Sequence, residues 1–337
     1  MADYKQVFVL VTGATGALGP CIVKVLDELG YRIRTLSIDE PSDGLFPRDV
    51  EVRIGDVTNV QDVRSAMDGI DAVIHLVALL HIVNPPPEMR EKFERINVGG
   101  TATVVEAAIS AGGVKRIVLF STIAVYGQAN GQVLNEQSPP HPETFYAHTK
   151  LSAERLVLNA RGADGQPLGT VLRLGAVYGS RIKGNYERLI HALAHHRFIP
   201  IGNGFNRRTL VYDKDVGSAA VLAVTHPNAA GRIFNVTDCK FHPLNEIIKS
   251  ICSALDRKPP RLSLPAGLTG VLVGIVEKGS RSIGLKPPVT REMIDKYTED
   301  IAVDGSLIQK ELGFMPQYDL KAGWEETIKE MREGGKL

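Results

Sequence analysis

Val7-Phe8-Val9-Leu10-Val11 is a continuous apolar run that leads straight into Thr12-Gly13-Ala14-Thr15-Gly16-Ala17-Leu18-Gly19. The glycines fall in a Gly-x-x-Gly-x-x-Gly pattern, and Leu18 to Leu29 then shows helical spacing before stopping at Gly30, where glycine tolerates a positive φ. A strand, a glycine turn and a helix in this order are the context that a dinucleotide phosphate site requires. Gly13 permits the tight turn, Gly16 lets backbone approach a pyrophosphate, and Gly19 lets helix pack on strand. The first N–H groups of the helix have no partner inside it and favour negative charge. Thr15, Ala17 and Leu18 join the three glycines as expected cofactor contacts.

The same alternation continues outward. Ile33 to Ser37 reads as a strand, Asn59 to Met67 as a helix after Thr58, Ala72 to Val77 as a strand, Glu88 to Ala111 as one long helix, and Ile117 to Ser121 as a strand. The helix Tyr146 to Arg161 precedes a further strand at Thr170 to Leu174. Strands that are apolar throughout, separated by helices, imply a parallel sheet covered on both faces. The expectation is an α/β fold with a Rossmann-type doubly wound parallel sheet and a smaller C-terminal substrate-binding lobe. Residues 1–180 would form the NAD(P)-binding domain, with 209–238 returning to it, and 181–208 with 239–337 would form the lobe. The segments Asn84 to Pro87, Gln137 to Pro142 and Lys258 to Pro265 read as loops bordering a cleft. No internal repeat argues for a solenoid or propeller.

Composition narrows the class. The 337 residues are 44% hydrophobic and 23% charged, an ordinary globular balance. Lys and Arg number 39 against 38 Asp and Glu, a formal charge of +1. No global basic field exists to hold nucleic acid or an acidic membrane, so any anion must be bound locally. Cys21, Cys239 and Cys252 are too widely spaced for a disulfide framework or a Cys-x-x-Cys metal site. The polar start, Met1 to Gln6, lacks the basic head and cleavage region of a signal peptide, and Leu262 to Val276 is too short and too interrupted by Pro and Gly to span a bilayer. A cytoplasmic protein without a membrane span is expected, with Leu262 to Val276 as a lid helix or surface patch. The nine histidines lack a ligand-like acidic cluster, so no metal site is expected.

An acidic residue near the end of the second strand, about 20 positions past the last glycine, accepts from the adenosine ribose in an NAD protein. Asp39 has that spacing. Asp39 and Glu40 would repel a 2′-phosphate and no Lys or Arg stands between Leu36 and Pro47, which favours NAD over NADP as the cofactor. Aligned by the glycines, the strand-tip position itself falls on Ser37, and Asp39 is then a solvated turn residue. Gly55-Asp56-Val57 follows the third strand. Asp56 there either accepts from the adenine amino group or caps the next helix, and Val57 adjoins it in the expected contact set.

Tyr146-Ala147-His148-Thr149-Lys150 places Tyr and Lys four residues apart, so on a helix both side chains leave from one face. A free tyrosine titrates near about pH 10, and a neighbouring ammonium together with an oxidised nicotinamide stabilises the phenolate. Tyr146 thereby becomes a usable base at neutral pH, with Lys150 also holding the nicotinamide ribose. Phe120-Ser121-Thr122-Ile123-Ala124-Val125-Tyr126-Gly127 ends the fifth strand, and ligands meet a parallel sheet at the carboxyl ends of its strands. Thr122 is placed to hydrogen-bond a reacting oxygen, while Ser121 is expected to bond backbone.

Through Thr12 to Gly19, Asp56, His75-Leu76-Val77-Ala78, Asn97-Val98-Gly99-Gly100-Thr101, Ser121 to Gly127 and Tyr146 to Lys150, the sequence resembles the extended short-chain dehydrogenases, nucleotide-sugar epimerases above all. The resemblance runs over nearly the full length. It implies that Ala78 lines the nicotinamide side, that Asn97 supports the catalytic helix, and that Thr122, Tyr146 and Lys150 form the catalytic set. It also implies that Asn185 and Arg208, in Gly184-Asn185-Tyr186 and Gly202 to Tyr212, bind the diphosphate of a nucleotide-sugar substrate. Arg207 either assists or faces solvent. Tyr297 to Pro316, with Asp304 and Leu312-Gly313-Phe314, resembles the closing segment that covers the substrate, and a homodimer through the Glu88–Ala111 and Tyr146 helices is implied.

Three reactions compete on this scaffold. Dehydratases of the family carry an acidic pair right after the active-site Ser or Thr, where this chain has Ile123-Ala124. Epimerisation needs one base, one hydride acceptor and room for a keto intermediate to turn over. The expected activity is therefore an NAD-dependent UDP-hexose 4-epimerase. A 4-keto-sugar reductase or a 3β-hydroxysteroid-dehydrogenase-like oxidoreductase is the alternative, because Arg173-Leu174-Gly175-Ala176-Val177-Tyr178-Gly179 lacks the family's Asn and the C-terminal third resembles the steroid enzymes. A non-catalytic dinucleotide sensor is the third reading.

Overall fold

The computed structural model describes residues 7–80, 86–265 and 297–337, together with Gly267, Thr269 and Val273. The apolar stretch expected as a lid lies outside the described residues from position 266 on, apart from those three, and so do Asn84 and Pro85.

The chain opens with β1 (Phe8–Thr12), α1 (Gly19–Glu28), β2 (Arg32–Ser37), β3 (Glu51–Ile54), α2 (Val60–Met67) and β4 (Ala72–His75). Every residue of β1 is buried, and its alternation explains why. Val9 and Val11 enter one core with Ile22, Val23 and Leu26 of α1. Phe8 and Leu10 enter the other with Val63 and Met67 of α2. A strand with helices on both faces needs apolar residues at odd and even positions alike.

The expected long helix is interrupted. α3 (Pro87–Phe93) passes through a π-helical turn, Glu94–Gly99, into α4 (Gly100–Ala111). One extra residue in the turn changes which side chain faces inward, and Asn97 is the buried one. Next come β5 (Arg116–Thr122), the short β6 (Val133–Leu134), α5 (Phe145–Asn159), β7 (Gly169–Leu174), β8 (Ala176–Tyr178), α6 (Asn185–Ala194), β9 (Arg207–Arg208), β10 (Leu210–Tyr212), α7 (Asp213–Thr225), β11 (Arg232–Val236), β12 (His242–Pro243) and α8 (Leu244–Ala254). A short strand, Ala302–Val303, and two helices, Ser306–Leu312 and Leu320–Glu333, end the described chain.

Seven strands form one parallel sheet in the order β11-β7-β5-β4-β1-β2-β3. The order reverses between β1 and β4, which puts the topological switch beside the glycine turn. A third core lies off the sheet, where Tyr178 and Tyr212 pack with Ile190, Ile247, Ile251, Trp324 and Ile328. The Tyr178 and Trp324 rings stack with centroids 4.1 Å apart. Asp213, which starts α7, is 5% exposed and its Oδ1 has no hydrogen-bond partner. Burial, with Glu330 adding repulsion, pushes its carboxyl up to about 7. Among the described residues no helix is long and apolar enough to cross a membrane.

Candidate active site

The glycine turn is held from three sides. Gly13 has φ +75°, and a Cβ there would sit 2.9 Å from Val77 Cγ2. Its N–H donates to Leu36 O at 2.7 Å, and its carbonyl oxygen accepts from Gly16 N at 3.0 Å. At the head of α1, Leu18 makes no side-chain cap and Pro20 stands in the first turn, so no side chain of the N-cap competes for the N–H groups that the first turn retains. The turn is thus a cradle that glycine fits, set at the N-terminus of a helix, and it suits a dinucleotide pyrophosphate.

Ser37 ends β2 buried, and its Oγ accepts from Thr15 N at 3.2 Å. The strand-tip position expected to meet ribose is therefore also a brace for the turn. Asp39 is exposed two residues further on. Asp56 Oδ1 accepts from Thr58 N at 2.8 Å, closing a turn. It does not cap α2. Asn59 does, accepting from Gln61 N at 2.9 Å and Asp62 N at 3.4 Å, because its side chain stands at the helix boundary and that of Asp56 stands three residues too early. Val57 is 3% exposed and packs in the α2–α4 core.

α5 starts at its N-cap Thr144, whose Oγ1 accepts from Ala147 N at 3.2 Å. This places Tyr146 in the first turn and Lys150 one turn on, with Lys150 2% exposed. Burial pushes the Lys150 ammonium down to about 8, with the Glu154 carboxylate pulling the other way. Burial pushes the Tyr146 phenol up to about 12. Thr122 ends β5, and its Oγ1 accepts from Ala124 N at 3.1 Å, an acceptor role that leaves the hydroxyl hydrogen to donate elsewhere. Ser121 differs from expectation. It donates to the Glu154 side chain rather than to backbone, because β5 lies against α5 and Glu154 is buried there beside it.

Asn97 joins the elements. Its Oδ1 accepts from Leu79 N at 2.7 Å, and its Nδ2 donates to Leu79 O at 3.2 Å and to Thr149 Oγ1 at 3.0 Å. The loop after β4, where Ala78 is half-buried, is thereby fixed to α5. His75 has a part that sequence reasoning missed. Thr101 donates its hydroxyl to Asn97 O at 2.6 Å, so it accepts from His75 Nε2 at 3.1 Å, and His75 Nδ1 accepts from Thr12 at 2.7 Å. Burial and the Lys150 charge hold the imidazole down at about 3, and it stays neutral as a structural bridge under the cofactor cradle. Two threonines on separate elements were the signal, invisible until the sheet was built.

The expected substrate residues sit on the C-terminal side. Asn185 is exposed at the start of α6 and accepts from Arg188 Nη2 at 3.0 Å. Arg208 is half-buried, donates to Tyr297 O at 2.8 Å and exerts its charge on Tyr186, the neighbour of Asn185. Arg207 does not face solvent freely. It forms an ion pair with Asp300 at 2.6 Å and donates to Gly131 O at 3.0 Å. The closing segment divides: Ala302–Val303 pairs with β6, whereas Leu312 and Phe314 pack into the sheet core and cannot lie over a substrate. A groove of about 580 Å³ lined by His196, Phe198, Arg257 and Lys258 includes none of Thr122, Tyr146 and Lys150. Among the described residues no group of three or more His, Cys, Asp or Glu could hold a metal ion.

The parallel sheet, the glycine cradle at its switch point and the Tyr–Lys helix beside it define a dinucleotide-dependent α/β enzyme. The chain belongs to the NAD dependent epimerase/dehydratase family, whose sequence profile matches residues 9–237. It is similar to the UDP-glucose 4-epimerase of Vibrio cholerae, with 26% identity over 95% of this chain and 94% of that one. It is also similar to the sterol-4-alpha-carboxylate 3-dehydrogenase, decarboxylating, of Mus musculus, with 30% identity over 76% and 70%. Among solved structures, MoeE5 in complex with UDP-glucose and NAD superposes with a TM-score of 0.75 at 26% identity, covering 97% of this chain and 99% of that one. NAD is the cofactor of the family, and the cradle fits it.

Proposed function

We propose that the protein is an NAD-dependent nucleotide-sugar 4-epimerase of the UDP-hexose class, working through a transient 4-keto sugar. The observation that carries this reading is Tyr146 and Lys150 one turn apart on α5, with Thr122 at the end of β5 followed by Ile123-Ala124 where a dehydratase needs acids. The Vibrio cholerae relative and the UDP-glucose bound to MoeE5 point to the same substrate class.

In this mechanism Tyr146 takes the proton of the sugar 4-hydroxyl and returns it at the end. Its phenol, raised by burial, becomes a base only when positive charge gathers beside it. Lys150 supplies one such charge and holds the nicotinamide ribose. Bound NAD supplies the other, together with the hydride acceptor. Thr122 donates its hydroxyl to the sugar oxygen. Gly13, Thr15, Gly16, Ala17, Leu18 and Gly19 hold the pyrophosphate, with Ser37, Asp39, Asp56 and Val57 toward the adenosine and Ala78 and Asn97 toward the nicotinamide. Asn185 and Arg208 hold the sugar-nucleotide diphosphate. Residues 1–180 and 209–238 bind the cofactor; 181–208 and 239–337 bind the substrate.

Incubation of the purified protein with UDP-glucose, UDP-galactose and their N-acetyl forms, without added reductant, tests this. Interconversion without net cofactor consumption is expected. A second reading, an NAD(P)-dependent ketone or sterol oxidoreductase, has the mouse relative and the missing Asn of Arg173 to Gly179 in its favour. Stoichiometric NADH oxidation by a 4-keto sugar or a hydrophobic ketone, with no interconversion, would replace the first reading by the second.

A further inference from the structure

Behind the Tyr146–Lys150 face the core holds two charges that the proposed reaction does not use. Glu154, one turn beyond Lys150 on α5, is 1% exposed, and Arg173 on β7 is 2% exposed. Arg173 meets the carboxylate edge-on, with Nη2 to Oε2 at 2.6 Å and Nε to Oε1 at 3.0 Å. Ser121, the neighbour of Thr122, donates its hydroxyl to the same Oε1. The Arg173 guanidinium carbon lies over the Tyr126 ring, 4.7 Å from its centre, and the Tyr126 hydroxyl donates to Asn235 Oδ1 at 2.9 Å.

Taking two charges out of water costs several kcal/mol per ion, and a well-packed apolar pair of similar volume is often as stable or more so. Stability alone therefore does not account for an ion pair at this place. Its contacts are informative: Glu154 is on the helix of Tyr146 and Lys150, Ser121 is on the strand that ends in Thr122, and Arg173 joins both to the next strand.

We propose that Glu154, clamped by Arg173 and Ser121, is a positioning residue that holds Lys150 in register with the Thr122 strand tip. Burial drives Lys150 toward neutrality, and the Glu154 carboxylate is the charge that opposes it. Lys150 stands one helical turn from Tyr146 and one from Glu154 on α5, so a change at Glu154 reaches the phenol through the placement of the Lys150 side chain. The inference rests on the Tyr146–Lys150 assignment above and is independent of which substrate is turned over.

The test is a pH titration of tyrosinate absorbance on the NAD-loaded protein, with the Tyr146→Phe variant subtracted so that only Tyr146 remains. Glu154→Gln should move the Tyr146 midpoint upward by about one pH unit, because a Lys150 side chain released from its register stabilises the phenolate less. Glu154→Gln leaves Arg173 buried and unpaired and is expected to lower the melting temperature. The double variant Glu154→Gln, Arg173→Met removes both charges; it should regain the melting temperature while its midpoint stays raised. A midpoint that matches the wild type in the double variant, or in a folded single variant, overturns the proposal and leaves the pair a packing feature. If the wild-type protein shows no ionisation assignable to Tyr146, the catalytic assignment itself fails, which is a different result. Neither readout uses a sugar.

Discussion

Asn97 donates from Nδ2 to the Thr149 hydroxyl at 3.0 Å, across 52 residues of sequence. With its two bonds to Leu79 this makes one side chain the joint between the loop after β4 and α5. The joint stands in the π-helical turn Glu94–Gly99, whose buried residue is Asn97.

Asn97→Ala removes the partners of the N–H and C=O of half-buried Leu79, a loss smaller than the ~1–3 kcal/mol of a fully buried unsatisfied group. A lower melting temperature and weaker NAD binding are expected, read by calorimetry and by titration of NAD. Unchanged NAD affinity would detach the joint from cofactor binding.

Tyr146→Phe removes the proposed base while keeping the ring. Turnover should fall by about 10²- to 10⁴-fold, the usual worth of a general acid–base group, with NAD affinity little changed. Retention of most activity in a variant with NAD bound would mean that another group moves the proton.

Gly13→Val combines a backbone at φ +75° with a Cβ closer to Val77 than packing allows. Strain of about 1–3 kcal/mol is expected from the backbone alone. NAD binding should be lost in protein that still folds, as judged by circular dichroism.

Asp213→Asn tests a stability effect. In the folded protein burial holds the carboxyl at about 7 against an ordinary 3.8. Between those values the native state keeps a proton that the unfolded chain has lost, so stability falls as pH rises through the window and levels off above it. The variant cannot ionise. Its melting temperature should match the wild type at pH 4 and exceed it above pH 7; a constant difference at all pH values would assign the effect to packing.

Arg208→Lys replaces a planar fork by a point charge. If Arg208 grips the sugar-nucleotide diphosphate, KM for UDP-hexose should rise about 10-fold with kcat held, because a bidentate contact is lost in ground and transition state alike. NAD affinity serves as the control and should not move.

Read by itself, the chain determined its parallel sheet, because a residue such as Val9 facing one core and Leu10 facing the other both have to be apolar, and that pattern is local. It also determined the glycine cradle, since positive φ at Gly13 and close approach of backbone are properties of residue type. Tyr146 and Lys150 were legible for the same reason: four residues make one helical turn. What only the tertiary structure decided are partnerships across elements. Asn59, not Asp56, caps α2; Leu312 and Phe314 pack under the sheet instead of over a ligand; Arg207 spends its charge on Asp300. His75 between Thr12 and Thr101, and Glu154 between Arg173 and Ser121, join residues 26 to 63 and 19 to 33 positions apart in sequence. No spacing rule links such positions, because helix and strand periodicity act only over a few residues and the partners of a buried polar group are chosen by which faces the fold brings together.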